Sequence, residues 1–268
     1  MNYYLNNKEI NYSTANVAKK GKKITLLDNA IDLTANKSWA QKGFTVQQLF
    51  SQQIYIDFKQ KIHSLLITLW KEAGLQVDYR FPLELYHSVA LEKKEHLAAI
   101  EKTKSVFAER FPIPLTLLEE RISEIIEIPL KVINPFGDNP TFHFRVVRPC
   151  SSDNNPLHRD VWQTENANCI NLYIPIAGSN ENSSLAIIPE SHHWPECDIE
   201  RTEEGAVING TSFNVPAVTS IYRKFEVIRP NPNENEVLIF SPYLIHGGSV
   251  NLNANVTRIS LEIRLRRK

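Results

Sequence analysis

Near the C-terminal end the chain contains the segment Thr257-Arg258-Ile259-Ser260-Leu261-Glu262-Ile263-Arg264-Leu265. Its apolar and polar residues alternate with a period of two, which is the pattern of a β-strand with one buried face. If the apolar face packs against helices, the polar face must look into a barrel, where buried arginines need anionic partners. The segment therefore predicts a strand that presents guanidinium groups to an enclosed site. The alternative is an edge strand with a solvated, charged face.

The same period of two extends over the whole half of the chain that follows Pro129, where turn-forming clusters separate short apolar segments. The predicted strands are Thr141–Arg148, Leu157–Gln163, Cys169–Ile176, Leu185–Ile188, Ile221–Ile228, Val237–Phe240 and Val256–Arg267. Strands of this number and spacing are typical of a sandwich or jelly roll.

The half of the chain before Pro129 has a helical period instead. The predicted helices are Thr45 to Gly74, with a capping box at Thr45 and Gln48, then Ser88 to Arg110, and Pro114 to Ile128. We therefore expect an α+β, mainly β domain. Residues 1–130 would form a helical region that packs on the outside of a β core made by residues 131–268.

The composition limits the classes of partner. The 268 residues include 30 basic and 30 acidic side chains, so no strong field attracts the chain to nucleic acid or to an anionic membrane. We expect a small-molecule partner instead. The first residues lack the pattern of a secretory signal, and no apolar run is long enough to span a bilayer, so we expect a cytoplasmic protein. Cys150, Cys169 and Cys197 are widely spaced and are expected to be reduced thiols.

Two short motifs carry metal-binding chemistry. His158-Arg159-Asp160 lies in a predicted strand, where positions i and i+2 point to the same face, and His246 follows far downstream. Two imidazoles and one carboxylate suit Fe(II), because they leave three coordination positions open. Each motif taken singly is weak evidence. A surface histidine beside a loop carboxylate, or a histidine that serves the turn at residues 247–248, would look the same.

The four blocks around these motifs resemble the phytanoyl-CoA dioxygenase-like family. The blocks are His158–Asp160, Asn182–His192, Leu238–His246 and Arg258–Ser260, and they follow one another in the order and with the spacing of that family. The resemblance runs from Phe142 to Leu265. It implies a double-stranded β-helix, a cupin-like jelly roll, with the N-terminal helices on its outside.

The resemblance also implies roles for residues of this chain. His158, Asp160 and His246 would bind Fe(II), and Arg258 would hold the distal carboxylate of the co-substrate 2-oxoglutarate with help from Ser260. The implied reaction also consumes O2 and releases succinate and CO2. Halogenating relatives have a small residue at the carboxylate position, so Asp160 favours hydroxylation, or a related oxidation such as desaturation or cyclisation, of a small metabolite or biosynthetic intermediate.

Further pocket residues follow from position. Tyr173 stands where the family often has a tryptophan near the co-substrate, and Asn171 shares its face by strand alternation. Both are cofactor-pocket candidates, and both would equally suit ordinary strand positions. The candidate substrate-binding residues are Arg145, Arg148, Trp162, Gln163 and Arg264. If several of these arginines converge, an anionic substrate is indicated.

Three other interpretations remain open. The same three ligands would suit a cupin-like isomerase or lyase that holds another divalent metal, and a non-catalytic metabolite-binding module would retain the fold alone. A zinc site at His192, His193 and Cys197 is the third, although its spacing is loose and no second Cys/His pair follows.

Overall fold

The computed structural model describes residues 1–104, 106–134, 137, 139–140, 142–151 and 153–268. Within them the α-helices are α1 (Gln52–Glu72), α2 (Lys93–Thr103) and α3 (Leu115–Ile126). The strands are β1 (Asn2–Leu5), β2 (Lys8–Asn11), β3 (Ala18–Lys20), β4 (Phe44–Gln48), β5 (Leu130–Ile133), β6 (His143–Val147), β7 (Cys169–Ala177), β8 (Ile199–Thr202), β9 (Ala206–Ile208), β10 (Thr211–Phe213), β11 (Val218–Ile221), β12 (Glu236–Phe240) and β13 (Arg258–Arg267). No helix in this part of the chain combines the length and the hydrophobicity needed to cross a bilayer.

The major sheet is antiparallel and has the order β4-β12-β7-β13-β5, with β6 also paired to β13. Its central strand β7 is buried from Cys169 to Pro175, because both of its faces are covered. In β13, Ser260 lies opposite Pro175 of β7 on one side and Arg145 of β6 on the other. β13 is therefore an inner strand of the sheet, and its polar residues are flanked by β7 and β6.

A second antiparallel layer faces the major sheet. It is built from single bridges, in which His158 pairs with His246 and Ile187 pairs with both His246 and Ile228. An apolar cluster joins the layers, since it contains Tyr173 and Leu238 of the major sheet together with Leu185, Ile187 and Ile228 of the second layer. The two antiparallel layers are not closed into a barrel. The prediction of a mainly β, double-stranded β-helix is confirmed.

The helices pack on the outer face of the major sheet. The largest apolar cluster joins the alternate residues of β13 to α1 and α3. Its members include Ile259, Leu261, Ile263, Leu265, Phe58, Ile62, Leu66, Leu118, Ile122 and Ile126. Burial of each such side chain contributes about 2 kcal/mol relative to exposure. The predicted direction of the apolar face of β13 is therefore confirmed.

The predicted helix limits were wrong in two places. Thr45 and Gln48 form no capping box, because Phe44–Gln48 is strand β4, whose backbone pairs with β12; helix α1 begins only at Gln52. The predicted helix from Ser88 to Arg110 is reduced to α2, and the segment Leu83–Ser88 before it forms a 3-10 turn. Ser105, within that prediction, lies outside the described residues. Because β4 belongs to the major sheet, residues 1–130 are not a purely helical region.

The predicted strands agree with the structure except in the second layer. There Leu157–Gln163 is not a strand, because only His158 is bridged and Asp160–Trp162 forms a 3-10 turn. The segment Leu185–Ile188 contributes bridges alone, and β11 ends at Ile221, where the predicted strand begins. Thr141, the first residue of another predicted strand, lies outside the described residues. Short, irregular pairing leaves too few residues for a period to be read from the sequence.

Candidate metal centre

Three buried side chains meet between the two layers. The Nε2 atom of His158 lies 3.3 Å from Oδ1 of Asp160, and Nε2 of His246 lies 3.7 Å from the same oxygen. One ligand atom from each residue can be chosen so that all lie within 4.8 Å of one another. It is the only cluster with metal-ligand spacing that was found among the described residues. The structure therefore brings together the three residues predicted to bind metal.

Different local structures present these ligands. His158 and His246 exchange two backbone hydrogen bonds of 2.9 Å across the second layer, which puts their rings side by side. Asp160 reaches the same point from the start of a 3-10 turn rather than from strand alternation. Glycine at position 247 lets the backbone after His246 approach the carbonyl oxygen of Pro156 closely. Its φ is +101°, and a Cβ there would lie 2.3 Å from that oxygen.

Backbone carbonyls fix the proton on each imidazole. The Nδ1 atom of His158 lies 2.8 Å from the oxygen of Pro156, and Nδ1 of His246 lies 3.0 Å from the oxygen of Leu244. A carbonyl oxygen only accepts, so Nδ1 carries the hydrogen in the neutral form of each ring, and Nε2 is then the nitrogen with the free lone pair. Burial, with the nearby His158, lowers the pKa of His246 to about 4, so its ring is neutral. This is the state in which imidazole binds a metal.

The carboxylate of Asp160 is held by its other oxygen. Oδ2 accepts hydrogen bonds from Nδ2 of Asn171 at 2.9 Å and from Nη2 of Arg264 at 2.8 Å. Burial alone would raise the pKa of Asp160, but Arg264, His246 and His158 outweigh it and keep that pKa well below its usual range. Asp160 is therefore ionised, and its Oδ1 faces the two Nε2 atoms. One carboxylate oxygen and two imidazole nitrogens on one face fit a divalent first-row cation.

Arg258 and Ser260 lie together on β13 and are buried. Nη1 of Arg258 donates to Oγ of Ser260 at 2.6 Å, and Nε donates to the carbonyl of Ser183 at 3.2 Å. The guanidinium carbon lies 5.7 Å from the ring centre of Tyr173, whose hydroxyl is 2.8 Å from Oγ of Ser179. Arg258 lines the same cavity as the three ligands. The guanidinium of Arg258 thus lies at the wall of the cavity, whereas Ser260 and Tyr173 are near that guanidinium but are not among the residues that line the cavity.

Only some of the candidate substrate-binding residues lie at the metal cavity. Arg145 and Arg264 line the metal cavity, and Arg148 borders it through Asp153, to which it donates at 2.9 and 3.1 Å. Trp162 donates to Glu196 at 2.9 Å, and Gln163 donates to the carbonyl of residue 214 at 3.3 Å. Neither Trp162 nor Gln163 is among the residues that line the cavity.

Two acidic residues at the cavity were not predicted. Glu262 accepts a hydrogen bond from Arg145 at 2.9 Å, and Asp153 pairs with Arg148. Burial would raise the pKa of Glu262, but Arg145 lowers it below the ordinary value. The alternation of β13 already placed Glu262 on the polar face, so its sequence position held the signal. Asp153 lies in a loop, where no period indicates a direction.

The three residues of the zinc interpretation do not form a metal cluster with the spacing of the one above. Nε2 of His192 is bonded to the carbonyl oxygen of Ala40 at 2.8 Å, and Sγ of Cys197 lies 3.9 Å from Oδ1 of Asp198. Burial lowers the pKa of His192 to about 4. These contacts give His192 a role in joining the turn before Trp194 to the N-terminal segment.

Comparison with known proteins gives matches in structure alone. No family model matches the chain, and no curated protein matches it. One similar structure is AviO1 from Streptomyces viridochromogenes Tue57, with 16% identity, 91% of this chain and 96% of that chain covered, and a TM-score of 0.46. Another is EctD from S. alaskensis with 2-oxoglutarate and 5-hydroxyectoine, with 11% identity, 96% and 86% covered, and a TM-score of 0.49. A third is the non-heme alpha ketoglutarate dependent epimerase SnoN from nogalamycin biosynthesis, with 8% identity, 88% and 81% covered, and a TM-score of 0.45.

Proposed function

We propose that this protein is a non-haem Fe(II)- and 2-oxoglutarate-dependent dioxygenase that hydroxylates a small molecule and releases succinate and CO2. One observation carries the proposal. Nε2 of His158, Nε2 of His246 and Oδ1 of Asp160 converge in a buried cavity, while the remaining polar atom of each side chain is bonded to the protein. Such a set is preorganised for a cation, because the carbonyls and Arg264 already fix the tautomers and the ring and carboxylate orientations.

His158, Asp160 and His246 would hold the metal and leave part of its coordination sphere open. Bound Fe(II) and 2-oxoglutarate supply an oxidation by O2 that is coupled to decarboxylation of the oxo acid. The protein's own residues would position the reacting groups and keep water out of the cavity. Leu185 covers part of the same cavity, and Asn171 keeps Asp160 aimed at the cation site.

Arg258 and Ser260 distinguish this proposal from a cupin-like isomerase or lyase with another metal. Arg258 is 2% exposed, and its observed hydrogen-bond partners are a carbonyl and a hydroxyl, both neutral. A buried guanidinium gains most from a carboxylate, which it binds through two parallel hydrogen bonds. The distal carboxylate of 2-oxoglutarate would meet that need, with Tyr173 against the side of the guanidinium.

The charges at the cavity indicate which class of substrate would fit. Arginine content alone favours an anionic substrate, but Arg145 pairs with Glu262, and Arg148 pairs with Asp153. These pairs neutralise Arg145, which lines the cavity, and Arg148, which borders it, so a neutral or zwitterionic polar substrate fits better than an anion. If Arg145→Ala and Arg148→Ala leave turnover of anionic candidates unchanged, the anionic class loses its remaining support.

Anaerobic titration tests the proposal. We expect purified protein with Fe(II) and 2-oxoglutarate to develop the weak visible charge-transfer band of a chelated oxo acid, and to release succinate once O2 and substrate are admitted. Arg258→Met should still bind the metal but need far more 2-oxoglutarate to give the band. Arg266→Met, on the exposed end of β13, is the matched control. Tight zinc binding without any band in the wild type would favour the metal-dependent isomerase or lyase.

A further inference from the structure

A second arginine, Arg229, lies beside Arg258 at the end of the second layer. Its Nη2 atom donates to the carbonyl of Val250 at 2.6 Å, and its Nη1 atom donates to the carbonyl of Ser184. Arg258 donates to the carbonyl of Ser183, the preceding residue. The two guanidinium groups are therefore held by consecutive carbonyls of one turn.

This pair of cations lacks a negative partner within the described part of the chain. Arg145, Arg148, Arg159 and Arg264 each form an ion pair with a carboxylate, whereas no such pair is found for Arg229 or Arg258. The Nε atom of Arg229 is also buried without a hydrogen-bond partner. Buried charge is normally paired, because the loss of hydration is costly.

The electrostatics agree with that geometry. Burial, followed by repulsion from Arg258, lowers the pKa of Arg229 to about 10, so it stays charged at neutral pH. Glu262 feels the charge of Arg258 but is already bonded to Arg145 at 2.9 Å. Two like charges that stay together where one is buried and the other is half-buried create a positive potential, which favours an anion that enters from outside.

We propose that Arg229 is a second cation of the co-substrate site, which with Arg258 selects an oxo acid that carries a distal carboxylate. Arg229 is a positioning residue in this scheme. It acts by its charge and by fixing the carbonyl of Ser184 beside the one that orients Arg258. The inference rests on the proposed function, since it assigns a residue to the same 2-oxoglutarate site.

The proposal predicts different effects of Arg229 on the binding of two oxo acids that would chelate a metal in the same way. 2-Oxobutyrate has the carbon chain of 2-oxoglutarate without the distal carboxylate. The charge of Arg229 should therefore matter for 2-oxoglutarate and not for 2-oxobutyrate. A merely structural role of Arg229 would change the binding of both oxo acids alike.

Calorimetric titration of the Mn(II)-loaded protein without O2 tests this difference. We expect Arg229→Gln to weaken 2-oxoglutarate binding about tenfold, and Arg229→Lys, which keeps the charge, to weaken it less than about threefold. The affinity for 2-oxobutyrate should stay the same in all three proteins. Arg121→Gln is the matched control, because Arg121 also donates to two backbone carbonyls, those of Gln48 and Leu49, at 2.9 Å each.

Two results would overturn the inference while leaving the proposed function in place. One is unchanged 2-oxoglutarate affinity in Arg229→Gln, and the other is an equal loss for both oxo acids. If Arg229→Gln does not fold, Arg229→Met, which keeps most of the side-chain length without the charge, is titrated with the same two oxo acids, and the loss should again fall on 2-oxoglutarate alone. Equal weakening of both would also refute the second cation. A wild type that binds neither oxo acid would refute the proposed function itself, and this inference with it.

Discussion

Arg264 of β13 donates to Oδ2 of Asp160, the oxygen that does not face His158 and His246, through Nη2 at 2.8 Å and Nε at 3.2 Å. The guanidinium neutralises the carboxylate charge and fixes the direction of its free oxygen. The polar face of β13 thus contributes to the metal site as well as to the cavity wall.

We expect Arg264→Met to weaken divalent metal binding about 10- to 100-fold, because the outer partners of a metal ligand fix its orientation. Calorimetry with Mn(II) measures the change. Arg266→Met, two residues further on and exposed, should bind Mn(II) like the wild type. An Arg264→Met protein with unchanged affinity would show that the pair with Asp160 does not orient the ligand.

Asp160→Asn removes the only negative ligand and also leaves the buried guanidinium of Arg264 without its carboxylate. We expect the variant to lose stoichiometric Fe(II) binding, as measured by metal analysis after anaerobic loading and gel filtration. The control is His63→Gln, a half-buried histidine of α1 that bonds the carbonyl of Phe81. Retention of one equivalent of iron by Asp160→Asn would contradict the assigned ligand set.

Arg159, which lies between His158 and Asp160 in sequence, is fully buried and pairs with Glu196. It also donates to the carbonyl of Ser191. We expect Arg159→Met to lower the free energy of unfolding by about 3 kcal/mol, because the buried carboxylate of Glu196 loses its nearest cation and keeps only Arg201, at 3.8 Å. Urea denaturation measures this loss. The double variant with Glu196→Leu should recover part of it, and a double variant less stable than Arg159→Met would argue against the buried-charge explanation.

His96 of α2 makes stability depend on pH. Its ring is 6% exposed, Nδ1 lies 3.1 Å from the hydroxyl of Tyr86, and burial lowers its pKa to about 4 despite the opposing effect of Asp153. The folded pKa lies below the unfolded value of about 6.5, so the unfolded chain takes up the proton first as the pH falls. Stability is therefore lost between about pH 6.5 and pH 4.

For this histidine the loss amounts to about 2 kcal/mol at pH 5. Urea denaturation at pH 7 and pH 5 should show a decrease in unfolding free energy that is smaller by about this amount in His96→Gln than in the wild type. Equal decreases in the two proteins would mean that His96 is not held neutral in the folded state.

The sequence predicted some parts of the candidate site correctly and other parts wrongly. The alternation in residues 257–265 correctly placed the apolar residues against the helices and Arg258 and Arg264 at the cavity. Ser260, on the same face, bonds to Arg258 but does not line the cavity. Residue type and spacing predicted His158 and Asp160 as ligands, and the structure brings them together with His246. The strand expected around them was wrong, because a 3-10 turn brings Asp160 to its place. A short spacing is compatible with several backbone forms, and only neighbouring segments select among them.

By itself, then, the sequence determined the local features: which residues alternate, where helical and strand periods change, and which side chains can bind a cation. The tertiary structure decided which charges meet. Arg264 pairs with Asp160 across 104 residues of chain, and Arg229 lies beside Arg258 with no pattern in the sequence to indicate it. A period fixes the face on which a side chain lies, whereas its partner depends on how distant strands are brought into register by burial of the core.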